Sequence, residues 1–106
     1  MANSNRILAT LADPTRRALV ERLRDGPLTV GELTSATAVT RSAVSQHLGV
    51  LKSAAMVIER REGTRRYYSL DPAALGELRA YVDSLWSDAL AHFVAPASEE
   101  TAHERD

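Results

Sequence analysis

The stretch that most constrains the fold is Thr40 to Ala54, TRSAVSQHLGVLKSA. Thr40 is a favoured helix N-cap, because its hydroxyl can accept from a free backbone N–H of the first turn. Val44, Leu48 and Leu51 then recur at spacings of four and three, so one apolar stripe has to pack on something. The opposite face is short and polar, with Arg41, Ser42, Ser45 and Gln46, and Lys52 lies a turn and a half beyond. Such side chains can donate to base edges and phosphates without filling a groove with bulk. An ordinary surface helix could carry the same pattern, so the flanking sequence decides.

Upstream, Asn5 to Leu11 is a short apolar segment with Ile7, Leu8 and Leu11. Asp13 and Pro14 predict a helix start, with Asp13 as N-cap and Pro14 where its missing N–H is harmless. The helix that follows turns Ala18, Leu19, Val20 and Leu23 inward and Arg16, Arg17, Glu21, Arg22 and Arg24 outward, and Asp25, Gly26 and Pro27 end it. Thr29 and Glu32 have the spacing of a capping box. They open a short helix whose core contacts are Val30 and Leu33. A turn at Ala38 and Val39 leads into the stretch above, and two helices joined in this way form a helix-turn-helix.

Downstream the period changes. Val57 to Glu62 and Arg65 to Leu70 read as two short strands around Gly63 and Thr64. Arg60, Arg61, Arg65 and Arg66 flank that turn, as a wing lying along or into a minor groove requires. Some of the four must point away, since neighbours on a strand alternate faces. Charge that only protects an edge strand is the other reading of such a hairpin; its place directly after a helix-turn-helix favours the wing.

Asp71 and Pro72 start the longest helix, expected to run to about Phe93. Its Leu75, Leu78, Val82, Leu85 and Ala89 alternate by three and four, the repeat of a helix that pairs with another. Trp86 and Phe93 widen this face beyond what one small domain needs to cover. Ile7, Leu8, Leu11, Leu78, Val82, Leu85, Trp86, Ala89 and Phe93 are therefore the expected dimer contacts. The expected architecture is mainly α, five helices with a β-hairpin between the fourth and fifth, paired through the terminal helices. Residues 1–95 form the DNA-binding and dimerisation domain, and 96–106 an acidic, disordered tail past Pro96.

The net charge of −1 hides an asymmetry. Residues 1–70 hold eleven Lys or Arg against six Asp or Glu, whereas residues 71–106 hold two against eight. The first part suits a polyanion and the second faces away from it or packs on a partner. The chain has no cysteine, which excludes disulfides, thiolate metal ligands and iron–sulfur clusters. No apolar run is long enough to span a bilayer, and MANSNRILATLAD lacks the core of a signal peptide, so the expected location is the cytoplasm, away from membranes. No nucleophile–base pair, phosphate loop or carboxylate dyad stands out, so an enzyme is not expected and no cofactor is assigned.

In this order, LADPTRRALVERL, AVSQHLGVLKSAAMV and REGTRRYYSLDP resemble the ArsR/SmtB family of bacterial winged-helix repressors over about residues 5–93. The resemblance implies a homodimer that binds double-stranded DNA at imperfect inverted repeats and leaves it when an effector binds. Its metal-sensing members carry ligand sites that this chain does not match. The positions of a Cys-x-Cys site hold Thr34 and Ala36, and those of a terminal-helix site hold Pro72, Ala74, Leu85 and Asp88. His92, His103 and Asp106 reproduce a His-x10-His-x2-acid spacing, but Pro96 interrupts the helix between them, so no metal site is assigned. For His47, a structural or phosphate-contacting role is expected rather than metal binding. The DNA-contacting set is then Thr40, Arg41, Ser42, Ser45, Gln46, His47 and Lys52 with the four wing arginines. A small organic effector, or failing that a metal, at the dimer interface is the alternative mode of control, and a winged-helix module that binds only proteins is a third reading.

Overall fold

Four helices begin at a side-chain acceptor. In the computed structural model, which describes the backbone of residues 2–105 and the side chains of residues 4–93, α1 spans Ala2–Leu11 and α2 spans Pro14–Arg22. The Asp13 carboxylate accepts from the backbone N–H groups of Thr15 and Arg16 at 2.8 and 3.1 Å. A 3-10 turn, Leu23–Asp25, and Gly26 at φ +136° end α2. A side chain would be strained in that conformation, which glycine adopts freely.

A two-residue strand β1, Leu28–Thr29, leads into α3, Val30–Ser35, across a complete capping box. Thr29 N–H donates to Glu32 Oε1 at 2.9 Å, and Glu32 N–H donates back to Thr29 Oγ1 at 3.2 Å. Helix α4, Arg41–Ser53, starts where the Thr40 hydroxyl accepts from Ala43 N–H. It ends with Ala55 at φ +59°, with Ala55 N–H donating to Lys52 O and Met56 N–H to Leu51 O. This is the paired closure of a Schellman motif, made with alanine where glycine is usual.

Strands β2, Val57–Glu62, and β3, Arg65–Leu70, form the expected hairpin. The sequence reading missed β1, which pairs antiparallel with β3 and gives the sheet the order β1-β3-β2. Two residues carry no alternation to read; their strand character comes from the β3 edge beside them. Helix α5 spans Pro72–Arg105, with the Asp71 carboxylate accepting from Ala73 N–H. Its backbone passes Pro96, beyond the expected end near Phe93. Proline removes one hydrogen bond but does not forbid a helix, and Ala97, Glu99, Glu100 and Ala102 after it are good helix formers. The side chains of the expected tail, 96–106, lie outside the described residues.

One core joins these elements. Leu19 and Leu23, Leu33, the α4 stripe Val44, Leu48 and Leu51, and Met56 and Val57 are all buried. Each large side chain there contributes roughly 1.5–3 kcal/mol by leaving water. Ile7 is 2% exposed in this same cluster, which corrects its assignment to the dimer contacts: α1 spends that side chain on its own protomer. Leu11 and Leu78 also pack partly on the core. Asp71 N–H donates to Met56 O at 2.9 Å and so fastens the start of α5 to the segment leaving α4.

Arg16 is a second correction, since it does not point outward. Its Nε donates to the Thr10 carbonyl at 2.8 Å, a free acceptor near the end of α1. Its Nη1 lies 3.5 Å from His47 Nδ1 and 4.0 Å from Asp13 Oδ2. One guanidinium, with several N–H donors in a fixed plane, thus ties α1, α2 and α4 together.

Candidate nucleic-acid interface

With Val44, Leu48 and Leu51 committed to the core, α4 has to turn its other face to solvent. Arg41, Ser42, Ser45, Gln46 and Lys52 are all exposed, as the sequence predicts for a groove-facing set. Thr40 is exposed too, but its hydroxyl oxygen is engaged as the N-cap acceptor. His47 is half-buried, with Nδ1 turned toward Arg16. Arginine has donors only, so a hydrogen bond across that contact can run only from Arg16 to Nδ1.

The hairpin turns in two residues, Gly63 and Thr64, between the paired Glu62 and Arg65. Gly63 has φ +63°, the positive value that the first central position of a II′ turn requires. Pairing of Arg61 with Arg66 and of Arg60 with Tyr67 fixes the faces of the wing. Arg61 and Arg66 share the face of Glu59, Tyr68 and Val57, while Arg60 and Arg65 share the other. On that second face Arg60 Nε lies 3.8 Å from Glu62.

Recognition helix and wing meet across a cleft of about 390 Å³ lined by Thr29, Val30, Gly31, Arg41, Ser45, Thr64, Arg65 and Arg66. A Cβ on Gly31 would lie 3.5 Å from Arg41 Nη1, so this guanidinium rests on the first turn of α3. The Glu32 carboxyl is held below its ordinary range by the Thr29 N–H, then by the Thr29 hydroxyl, with a smaller contribution from the Arg65 charge. The cleft therefore gathers three arginines and three hydroxyl side chains, a set that suits phosphate oxygens.

At the other end of α4, Lys52 Nζ donates to Glu59 Oε1 at 2.6 Å, and Arg66 Nε lies 3.5 Å from Glu59 Oε2. Lys52 foremost, then Arg66 and Arg61, hold the Glu59 carboxyl below its ordinary range, against the opposing effect of burial. The sequence reading did not single out Glu59. Its alternation with Arg61 on one strand face was available as a signal, but its distance to Lys52 was not.

Among the described residues, no three His, Asp or Glu side chains group so as to hold a metal ion. His103 and Asp106 lie outside the described side chains. Nor is any described helix long and apolar enough to cross a membrane. Of the expected dimer contacts, Leu8, Val82, Leu85, Trp86, Ala89 and Phe93 are exposed, as is Leu90.

Residues 11–61 match a helix-turn-helix domain family. The chain is 56% identical to the HTH-type transcriptional regulator Rv2034 of Mycobacterium tuberculosis, over 81% of this chain and 80% of that protein. It is 32% identical to the transcriptional repressor SdpR of Bacillus subtilis, over 67% of this chain and 79% of that one. Among solved structures it resembles a homodimeric winged helix-turn-helix DNA-binding domain from Mycobacterium bovis, described as a possible ArsR-family regulator. That match has 31% identity and a TM-score of 0.67, and covers 86% of this chain and 84% of the other. The cleft between recognition helix and wing, the order of elements around it and these relatives agree: the chain belongs to the ArsR family of winged helix-turn-helix transcriptional regulators.

Proposed function

We propose that the protein acts in the cytoplasm as a homodimeric repressor, without catalytic activity, on a roughly palindromic operator. The observation that carries this reading is the shared cleft, where the polar face of α4 and the wing arginines converge. In a two-fold dimer, two such helices enter successive major grooves about 34 Å apart. Arg41 suits guanine and Gln46 adenine, with Ser42 and Ser45 beside them, because those donor and acceptor geometries match the base edges. Thr40, His47 and Lys52 flank them on the backbone side. The wing arginines act on phosphates or the minor groove, Arg61 and Arg66 from one face of the hairpin and Arg60 and Arg65 from the other. Leu8, Val82, Leu85, Trp86, Ala89 and Phe93 supply the pairing surface, and Leu90 extends it.

The test is binding of the purified protein to its own upstream region and to a random duplex at two salt concentrations. Gln46→Ala is expected to cost about 1–3 kcal/mol on the operator and little on random DNA. Arg65→Ala is expected to weaken both and to flatten the salt slope by about one phosphate contact. Equal losses on both duplexes for both variants would remove this division of labour. A wild-type protein with no preference for the operator would favour a protein-binding module instead.

A further inference from the structure

A carboxylate on a surface built to meet phosphates is unfavourable unless it does something there. Glu59 is such a group. It projects from β2 on the hairpin face that also carries Arg61 and Arg66, and its side chain is only 14% exposed. Two cations of the interface are engaged on it, Lys52 from the last turn of α4 and Arg66 from β3. Both cations remain more than half exposed, so each can also reach a phosphate.

We propose that Glu59 is a specificity-determining residue, which lowers affinity for random DNA by neutralising Lys52 and Arg66 and favours the operator by fixing the angle between recognition helix and wing. The inference rests on the DNA-binding reading above. Binding to random DNA comes almost wholly from cations that displace counterions from phosphates. A lysine or arginine already paired with an internal carboxylate gains less by that exchange, so a backbone-only complex is weakened. The operator complex adds base-edge contacts, which require α4 in the groove and the wing on the flank at one mutual angle. Glu59 holds that angle, because its partners lie on both elements. It therefore costs the operator complex less than the random one.

The experiment compares wild type, Glu59→Gln and Glu62→Gln on operator and random duplexes across a salt series, with circular-dichroism melts to establish folding. Glutamine keeps an oxygen to accept from Lys52 and removes only the charge. Glu59→Gln is expected to bind random DNA about threefold tighter or more, with a salt slope steeper by about one, while the operator-to-random ratio falls. Glu62→Gln removes the same charge from the opposite face of β2 and is expected to produce less than half that gain. Unchanged random binding, an unchanged ratio, or an equal effect from Glu62→Gln would overturn the proposal. Lys52→Gln gives a second reading if Glu59→Gln does not fold. It should flatten the random-DNA slope by well under one contact, and a loss of a full contact would also overturn it. Operator preference in the wild type with Glu59→Gln indistinguishable from it defeats this inference alone. A wild-type protein that binds neither duplex defeats the DNA-binding reading and this one together.

Discussion

Asp13 shows how one side chain can carry several duties. It caps α2, and its carboxyl is held below the usual range, first by the Arg16 N–H, next by the Thr15 N–H, then by the charges of Arg16 and His47. Glu32 and Glu59 are lowered as well. A carboxyl whose folded pKa is depressed stabilises the fold fully above its unfolded value, about 4, and loses that contribution as pH falls through the folded value. Stability should therefore be flat with respect to these groups near neutrality and fall below about pH 4. Asp13→Asn keeps an oxygen for the cap but removes the titration. Its thermal midpoint should drop less than that of the wild type between pH 4.5 and the acid limit. Parallel acid limbs for the two proteins would exclude Asp13 as a contributor.

At the scale of elements, the end of α4 matters as much as its start, because it sets where the wing leaves. Ala55 closes that end in a left-handed conformation that costs a residue with a Cβ roughly 1 kcal/mol. Ala55→Gly should relieve this and raise stability by about 1 kcal/mol, seen as a higher midpoint in thermal denaturation. An unchanged or lower midpoint would mean that the alanine is not strained there. Most elements were legible in the sequence because their signals are local. Asp13, Thr29, Thr40 and Asp71 mark helix starts by a hydroxyl or carboxylate at the right place, and Gly63 marks the hairpin by its conformational freedom. What escaped the sequence depends on distant partners. Strand β1 exists because β3 lies beside it, and Arg16 faces inward because the Thr10 carbonyl and His47 lie within its reach. Glu59 is nearly buried between α4 and the wing because Lys52, on a different element, meets it. Proline at position 96 gave a local stop signal that the helix overrode.

For the whole molecule, shape is the informative quantity. The radius of gyration is 19.8 Å, where a compact chain of this length would have about 13 Å. The accessible surface is 7411 Å², against roughly 5,800 Å² for a compact monomer of this mass. On helix α5, Trp86 is 63% and Phe93 87% exposed. Leu85→Glu and Trp86→Glu should each convert a dimer to monomers in sedimentation and abolish operator binding while leaving the helix-turn-helix folded. A variant that still sediments as a dimer would place the contact elsewhere on the helix. The hydrogen bond from Asp71 to Met56 gives this arrangement a mechanical side. It welds the root of the long helix to the exit of the recognition helix, so the two behave as arm and blade of one lever. In the proposed dimer, with each blade about 17 Å from the two-fold axis, a swing of some 10° at the paired arms would carry it roughly 3 Å, enough to lose register with the groove.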